Sequence, residues 1–285
     1  MKKLLFQFDT DSHPASFDIV VAHDGGADHV IPYAGVTPQS VGPLVEGTMF
    51  TRPPKEKRFT AIFIGGSDLQ AGQRLLDAVR KKFFADFRVS VMLDSNGSNT
   101  TAAAGIAKMV GSVPVRGKKA VVLAGTGPVG QRAAALLARE GAEVVLTSRS
   151  LERARKACEE MKARFGVTIT PVEAINNNAR GEVIKGAQIV FSAGAAGVQL
   201  LEERHWAGLP DLEVLADANA TPPLGIEGVD MMDRGTIRHG KICWGAIGFG
   251  TLKLALHRAC IARLFERNDL ILDAEEIYAI AREMA

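Results

Sequence analysis

Six residues, Gly125-Thr126-Gly127-Pro128-Val129-Gly130, narrow the folds open to this chain more than any others. An apolar run, Ala120-Val121-Val122-Leu123-Ala124, leads into them, and a helical pattern from about Pro128 to Glu140 follows and stops at Gly141. Glu143-Val144-Val145-Leu146-Thr147 is a second apolar strand. A GxGxxG run alone is weak. Set between strand and helix, with another strand behind it, it reads as a βαβ dinucleotide-binding unit. Gly125 is expected to allow the tight turn and Gly127 to let the backbone approach a pyrophosphate. Gly130 is expected to let the helix pack closely. The helix N-terminus adds free N–H groups and partial positive charge for phosphates. The plainer alternative is a tight turn with no ligand.

The tip of the second strand bears on which dinucleotide is bound. An NAD site usually places an acid there for the ribose hydroxyls. This chain has Thr147-Ser148-Arg149-Ser150, with Arg153 one turn into the next helix. Hydroxyls and forked guanidinium groups suit a 2′-phosphate, so the expected cofactor is NADP, bound in part by Ser148, Arg149 and Arg153. The alternative is a helix-capping serine with surface arginines. Downstream, Ile189-Val190-Phe191 leads through Ala193 to Gly194-Ala195-Ala196-Gly197, whose small side chains leave room for ribose or nicotinamide. Asp217-Ala218-Asn219-Ala220 stands at the next strand end, the edge where such sheets bind ligands. Ala193 and Asn219 are the cofactor candidates there, against ordinary loop packing.

Strands also alternate with helices through the first hundred residues. Leu4 to Phe8, Ala61 to Ile64 and Arg88 to Leu93 read as strands, and Pro14 to Asp24 as a helix. Ser67-Asp68-Leu69-Gln70 reads as a capping box for a helix to about Phe83, with Leu75, Val79 and Phe83 on its buried face. A polar loop, Asp94 to Asn99, precedes a small-residue helix from about Thr100. The charge run Arg52 to Arg58 reads as a solvated connection. Composition shifts near Gly117. The expected fold is α/β: a Rossmann-type parallel-sheet NADP domain plus a smaller α/β substrate domain, with the active site in the cleft between them. The expected substrate domain is 1–103, joined by C-terminal helices in 254–285; the NADP domain is 104–253.

The formal charge of +2 gives no reason to expect nucleic acid or an anionic membrane as partner. No signal pattern and no uncharged span of membrane length is visible, so a cytoplasmic protein is expected. Cys158, Cys243 and Cys260 are scattered and odd in number, which fits reduced thiols and offers no metal site. A helix from about Thr251 is apolar nearly all round, and Lys253 and His257 lie four apart on one of its faces. A lysine there must reach a partner, a cleft or solvent, and spacing alone favours solvent. Phe17, Asp94, Asn96 and Asn99 are candidates for the opposite wall, each with a structural alternative as core, turn or cap residue.

Several segments together resemble one family. They are Phe6-Gln7-Phe8-Asp9-Thr10-Asp11, Asp24-Gly25-Gly26-Ala27-Asp28-His29, Met92-Leu93-Asp94-Ser95-Asn96-Gly97-Ser98-Asn99-Thr100-Thr101 and Leu256-His257-Arg258-Ala259-Cys260-Ile261-Ala262. The chain resembles, essentially end to end, the NADP-dependent methylenetetrahydromethanopterin dehydrogenases of methylotrophic bacteria. The resemblance implies oxidation of a methylene-pterin to the methenyl form, with methylenetetrahydrofolate also accepted. It implies a homo-oligomer, expected to be a trimer or higher. It places Phe17, Lys253 and His257 in the active-site region and makes Asp94, Asn96 and Asn99 candidates for substrate binding. The reacting carbon lies between two nitrogens, so hydride loss leaves a delocalised cation and requires no general base. Two alternatives remain: a shikimate-dehydrogenase-like NADP reductase, which needs an acid/base pair, and a nucleotide-sensing module without turnover.

Overall fold

A computed structural model describes residues 1–285. The chain opens with β1 (Leu4–Asp9), α1 (Ser16–Asp24), β2 (His29–Tyr33), α2 (Val41–Phe50), β3 (Thr60–Gly65), α3 (Leu69–Lys82), β4 (Ser90–Leu93) and α4 (Ser98–Ser112). Next come β5 (Lys119–Leu123), α5 (Pro128–Arg139), β6 (Glu143–Ser148), α6 (Leu151–Phe165), β7 (Thr170–Glu173), α7 (Asn177–Val183), β8 (Ile189–Ser192) and β9 (Val214–Asp217). β10 (Arg234–Arg238), β11 (Lys241–Trp244), α8 (Ala246–Leu264), β12 (Ile271–Leu272) and α9 (Ala274–Met284) complete it. Contacts divide the chain into one unit of residues 1–100 with 254–284 and another of 101–253 with 285. No helix is long and apolar enough to cross a membrane.

The first unit carries a five-stranded sheet in the order β12-β4-β3-β1-β2, parallel throughout. β3 and β4 are buried along their whole length, as unbroken apolar runs in parallel sheets are. Phe8, Ile62, Ile64, Val91 and Leu93 from the strands pack with Val45 and Met49 of α2 and Leu75 and Val79 of α3. Two local expectations change. Asp68, not Ser67, caps α3, its carboxylate accepting from the N–H groups of Gln70 and Ala71. The charge run is only partly solvated: Lys57 is 1% exposed. Its ammonium donates to the carbonyls of Met49 (2.7 Å) and Arg52 (3.1 Å) and lies 4.3 Å from the Phe87 ring centroid. The last carbonyls of α2 need donors, so a lysine stem folds over apolar surface to supply one.

The second unit carries a seven-stranded sheet in the order β10-β11-β9-β8-β5-β6-β7. All pairs are parallel except β10–β11. Winding starts at β5 and runs outward through β6 and β7, then returns to β8 and runs outward the other way. The order therefore reverses between β5 and β8, the doubly wound pattern whose carboxyl edge holds ligands. The antiparallel edge is an addition to the all-parallel reading; a hairpin through His239 and Gly240, both at positive φ, makes it. The helix expected from Thr251 already starts at Ala246. Its glycines hid that first turn and have a packing reason. A Cβ on Gly248 would lie 1.8 Å from the Asp233 carbonyl oxygen, and one on Gly245 2.1 Å from that of Asp230.

Candidate active site

In the second unit the glycine turn is stitched to β6 by one residue. The Gly125 N–H donates to the Thr147 carbonyl (2.9 Å), and the Ala124 N–H donates to Thr147 Oγ1 (3.1 Å). The left-handed position of the turn is Ala124, at φ 51°. Gly125 is required for space instead: a Cβ there would lie 2.7 Å from Leu146 Cγ. At Gly130 a Cβ would meet backbone, 2.6 Å from Gly125 Cα and 2.8 Å from its carbonyl carbon. Gly127 differs from both, because nothing lies within 4 Å of its would-be Cβ. It is the extended N-cap of α5, with Pro128 next and no side-chain cap. The first N–H groups of α5 thus carry no side-chain cap, and Thr126, Gly127, Pro128 and Val129 around them are part-exposed. Free N–H groups beside open space suit an anionic group, and a side chain at Gly127 would occupy that space.

At the tip of β6, Ser148 Oγ accepts from the Ser150 N–H and Ser150 Oγ from the Arg153 N–H, so Ser150 caps α6. Arg149 and Arg153 are exposed, and no ion pair holds either guanidinium. They are thus available to an anionic ligand. Ala193 is part-exposed at the carboxyl end of β8, its N–H held by the Leu123 carbonyl at 3.1 Å. Asn219 is buried and spends its amide on its own loop, donating to the Pro223 carbonyl and accepting from the Thr221 N–H. Asp217 anchors that loop from within, accepting from the N–H groups of Asn219 and Ile226. Its burial holds its carboxyl above the usual carboxylate range.

In the first unit a second set of groups meets at the carboxyl edge of β1, β3 and β4. His257 on α8 is fully buried. Its ring stacks on Phe63 at 5.5 Å between centroids and 22°, and lies 6.3 Å from the ring of Phe17. Its Nδ1 is 3.9 Å from Asp94 Oδ2. Phe17 is 51% exposed, so one face of this aromatic column is open. Carboxylates of Asp9 and Asp18 converge on Gly65, 3.1 and 3.5 Å from where its Cβ would be. Phe63 was legible only as a core residue of its strand; its role as the bed for His257 depends on a helix distant in sequence.

The polar loop is largely scaffold. Asp94 Oδ1 accepts from the N–H groups of Asn99 (2.9 Å) and Thr100 (3.0 Å), and Oδ2 from the Thr100 hydroxyl (2.6 Å). Asn99 donates to the Leu93 carbonyl and to Asp273 Oδ1. Both residues are fully buried, so neither offers a side chain to solvent. The expected cap roles are thereby reassigned: α4 begins at Ser98, and Asp94 satisfies its first turn. Asn96 alone of the three is exposed, at φ 56°, with its N–H on the Gly66 carbonyl. Lys253 is part-exposed, one turn before His257 on α8. Phe17, Asp94 and His257 are therefore brought together within one unit, and the glycine turn, Ser148, Arg149 and Arg153 within the other.

Comparison with known proteins covers both halves. The family described as "Methylene-tetrahydromethanopterin dehydrogenase, N-terminal" matches residues 16–96, and "Shikimate / quinate 5-dehydrogenase" matches residues 107–216. Two relatives come from Methylorubrum extorquens. The "Bifunctional protein MdtA" is 57% identical over 286 aligned positions, covering 100% of this chain and 99% of the relative. An "NAD(P)-dependent methylenetetrahydromethanopterin dehydrogenase" is 34% identical, covering 96% and 95%. Among solved structures, quinate dehydrogenase from Corynebacterium glutamicum in complex with NAD aligns at a TM-score of 0.52 and 15% identity, covering 98% of each chain. That likeness concerns the fold alone.

Proposed function

The chain belongs to the methylenetetrahydromethanopterin dehydrogenase family, and on that premise we propose which of its residues carry the reaction and how. The protein is an oxidoreductase that uses NADP to dehydrogenate methylenetetrahydromethanopterin to the methenyl form. The observation that carries this reading is a likeness spanning the whole chain, so pterin-family and nucleotide segments are matched in one polypeptide. Methylenetetrahydrofolate, which presents the same N–CH2–N carbon, is a second substrate. The protein works in the cytoplasm as a homo-oligomer, a trimer or larger, and needs neither nucleic acid nor membrane. Exposed Phe50 and Phe84, beside Phe87, offer apolar surface for such assembly.

NADP, when bound, would supply the hydride acceptor. The chain's task is positioning, because a methylene flanked by two nitrogens loses hydride without losing a proton. Gly127 and the uncapped start of α5 hold the pyrophosphate. Arg149 and Arg153, exposed and without carboxylate partners, hold the 2′-phosphate beside Ser148. Phe17 gives an open aromatic face to the pterin, backed by the buried His257 ring and Phe63. Asn96 is the polar group of the loop left to meet substrate. Lys253, a turn from His257, binds polar substrate atoms; it is not a proton acceptor.

The test is the absorbance of reduced cofactor at 340 nm, with NADP+ and both methylene-pterins. Turnover should show a primary isotope effect from deuterated methylene and no solvent isotope effect. Replacing Arg149 and Arg153 by Ala should raise the NADP+ KM about tenfold or more and leave NAD+ nearly unchanged. Turnover of shikimate-type alcohols with a solvent isotope effect, and none of the pterins, would overturn the reading.

A further inference from the structure

The turn after β6 and the turn after β7 run side by side. Ser148 pairs with Glu173 in the sheet, the Ala174 N–H donates to the Ser148 carbonyl (2.7 Å), and the Leu151 N–H donates to Glu173 Oε1 (3.2 Å). Arg149 leaves the first turn and is exposed. The second turn leads into α7, which carries Arg180, only 7% exposed. The Arg180 guanidinium is held by Nη1, which donates to Asn177 Oδ1 at 2.7 Å and reaches the Leu200 carbonyl at 3.5 Å. Its Nε and Nη2 make no hydrogen bond within the chain, although a guanidinium has five N–H donors. No carboxylate pairs with it. Glu173, at the end of β7, is engaged at the Leu151 N–H. Burial first, and the charge of Arg149 second, hold the pKa of Arg180 below the ordinary arginine value.

Two guanidinium groups thus share one end of the sheet, one of them nearly removed from water, with no anion of the chain to offset them. A buried cation in that state is costly to the fold on its own. A site that must take a dianion repays such an arrangement, because the ligand supplies the missing charge and donor-starved oxygens at once.

We propose that Arg180 is a specificity-determining residue, a third and desolvated cation of the pocket that takes the 2′-phosphate of an adenosine nucleotide. Asn177 sets its fork, and the open donors at Nε and Nη2 serve the phosphate from behind Arg149. This rests on the reading of Arg149 and Arg153 as the phosphate's exposed clamp and adds the buried member. The ligand class is a phosphate monoester on an adenosine ribose. A diester or a bare hydroxyl would leave the paired charges unmatched.

The experiment is calorimetric titration of the full chain with 2′,5′-ADP and with 5′-AMP, alongside thermal unfolding without ligand. The wild type should bind 2′,5′-ADP about tenfold or more tightly than 5′-AMP. Arg180→Gln should lower that ratio about tenfold while moving 5′-AMP affinity by no more than about twofold. Arg180→Lys, which keeps a charge but loses the fork and serves if the Gln variant fails to fold, should also lower the ratio, by about threefold or more, and an unchanged ratio there would count against the proposal. An unchanged ratio in a folded Arg180→Gln protein would show that Arg180 is only a strut between α7 and the Leu200 carbonyl. So would equal loss of both ligands in either variant. If the wild type shows no preference, the NADP reading fails and this proposal with it; preference in the wild type retained by Arg180→Gln sinks this proposal alone.

Discussion

Gly130 and Gly127 separate a packing role from a binding role within one turn of one helix. A Cβ on Gly130 would lie 2.6 Å from Gly125 Cα and 2.8 Å from both its carbonyl carbon and oxygen. These are backbone atoms held by the Gly125 N–H bond to Thr147, so no side chain can swing away to relieve the clash. Gly130→Ala must therefore shift α5 or the turn, an overpacking cost of about 1–3 kcal/mol. For a chain of this size each kcal/mol moves Tm by roughly 2–4 °C, giving a fall of about 2–12 °C. Gly127 has extended backbone at φ −77°, ψ 172°, which a β-branched residue tolerates, and nothing lies within 4 Å of its Cβ position. Gly127→Val should cost at most the roughly 1 kcal/mol of losing a good N-cap residue, yet fill the open space in front of the helix N-terminus. The assay is a thermal scan without cofactor followed by NADP+ calorimetry. Gly127→Val should melt within a few degrees of wild type and bind NADP+ at least about a hundredfold more weakly, the scale of an excluded phosphate contact. Wild-type NADP+ affinity in Gly127→Val, or wild-type melting in Gly130→Ala, would refute the reasoning for that position.

Lys253→Ala should lower kcat about tenfold or more, the loss of one positioning contact of about 1.4 kcal/mol, with NADP+ affinity nearly unchanged. Arginine should restore little there; steady-state kinetics of both variants decide, and near-normal turnover in the Ala variant would make the lysine a solvent-reaching bystander. Burial pushes Cys158 up to about 11 and Cys243 up to about 12, and raises Cys260 as well. The reactive thiolate is thus scarce at neutral pH, and all three should resist an aromatic disulfide reagent at pH 8 until the protein unfolds. Rapid labelling of any one in the native protein would contradict the burial described above.

What the sequence makes legible follows the range of the forces involved. The strand–glycine–helix–strand run is local and periodic, and β5, α5 and β6 stand where it puts them. β2 was not legible because Pro32 interrupts its pattern, a residue tolerated only since β2 is an edge strand. α2 was obscured by Gly42, Pro43 and Gly47. At the site, spacing and composition single out Phe17 and His257 and the resemblance gives them a role, whereas Phe63 is hidden, since its ring meets His257 only after β3 and α8 pack. Asp94 and Asn99 show the converse limit. Both stand in the most distinctive polar run of the chain, and composition cannot tell a side chain aimed at a ligand from one closing a loop on itself.

The bonds of Asp94 constrain how this protein can diversify. One carboxylate closes the start of α4 through three hydrogen bonds and stands beside the His257 ring. A mutation that retunes the neighbourhood of that ring through Asp94 also loosens a helix, so drift at this position is blocked from two sides. Asn96, exposed two residues later, carries no such double burden. Lineages of this fold that adapt to altered substrates should therefore change first at positions like Asn96 and Phe17, while the residues that shape the loop stay fixed.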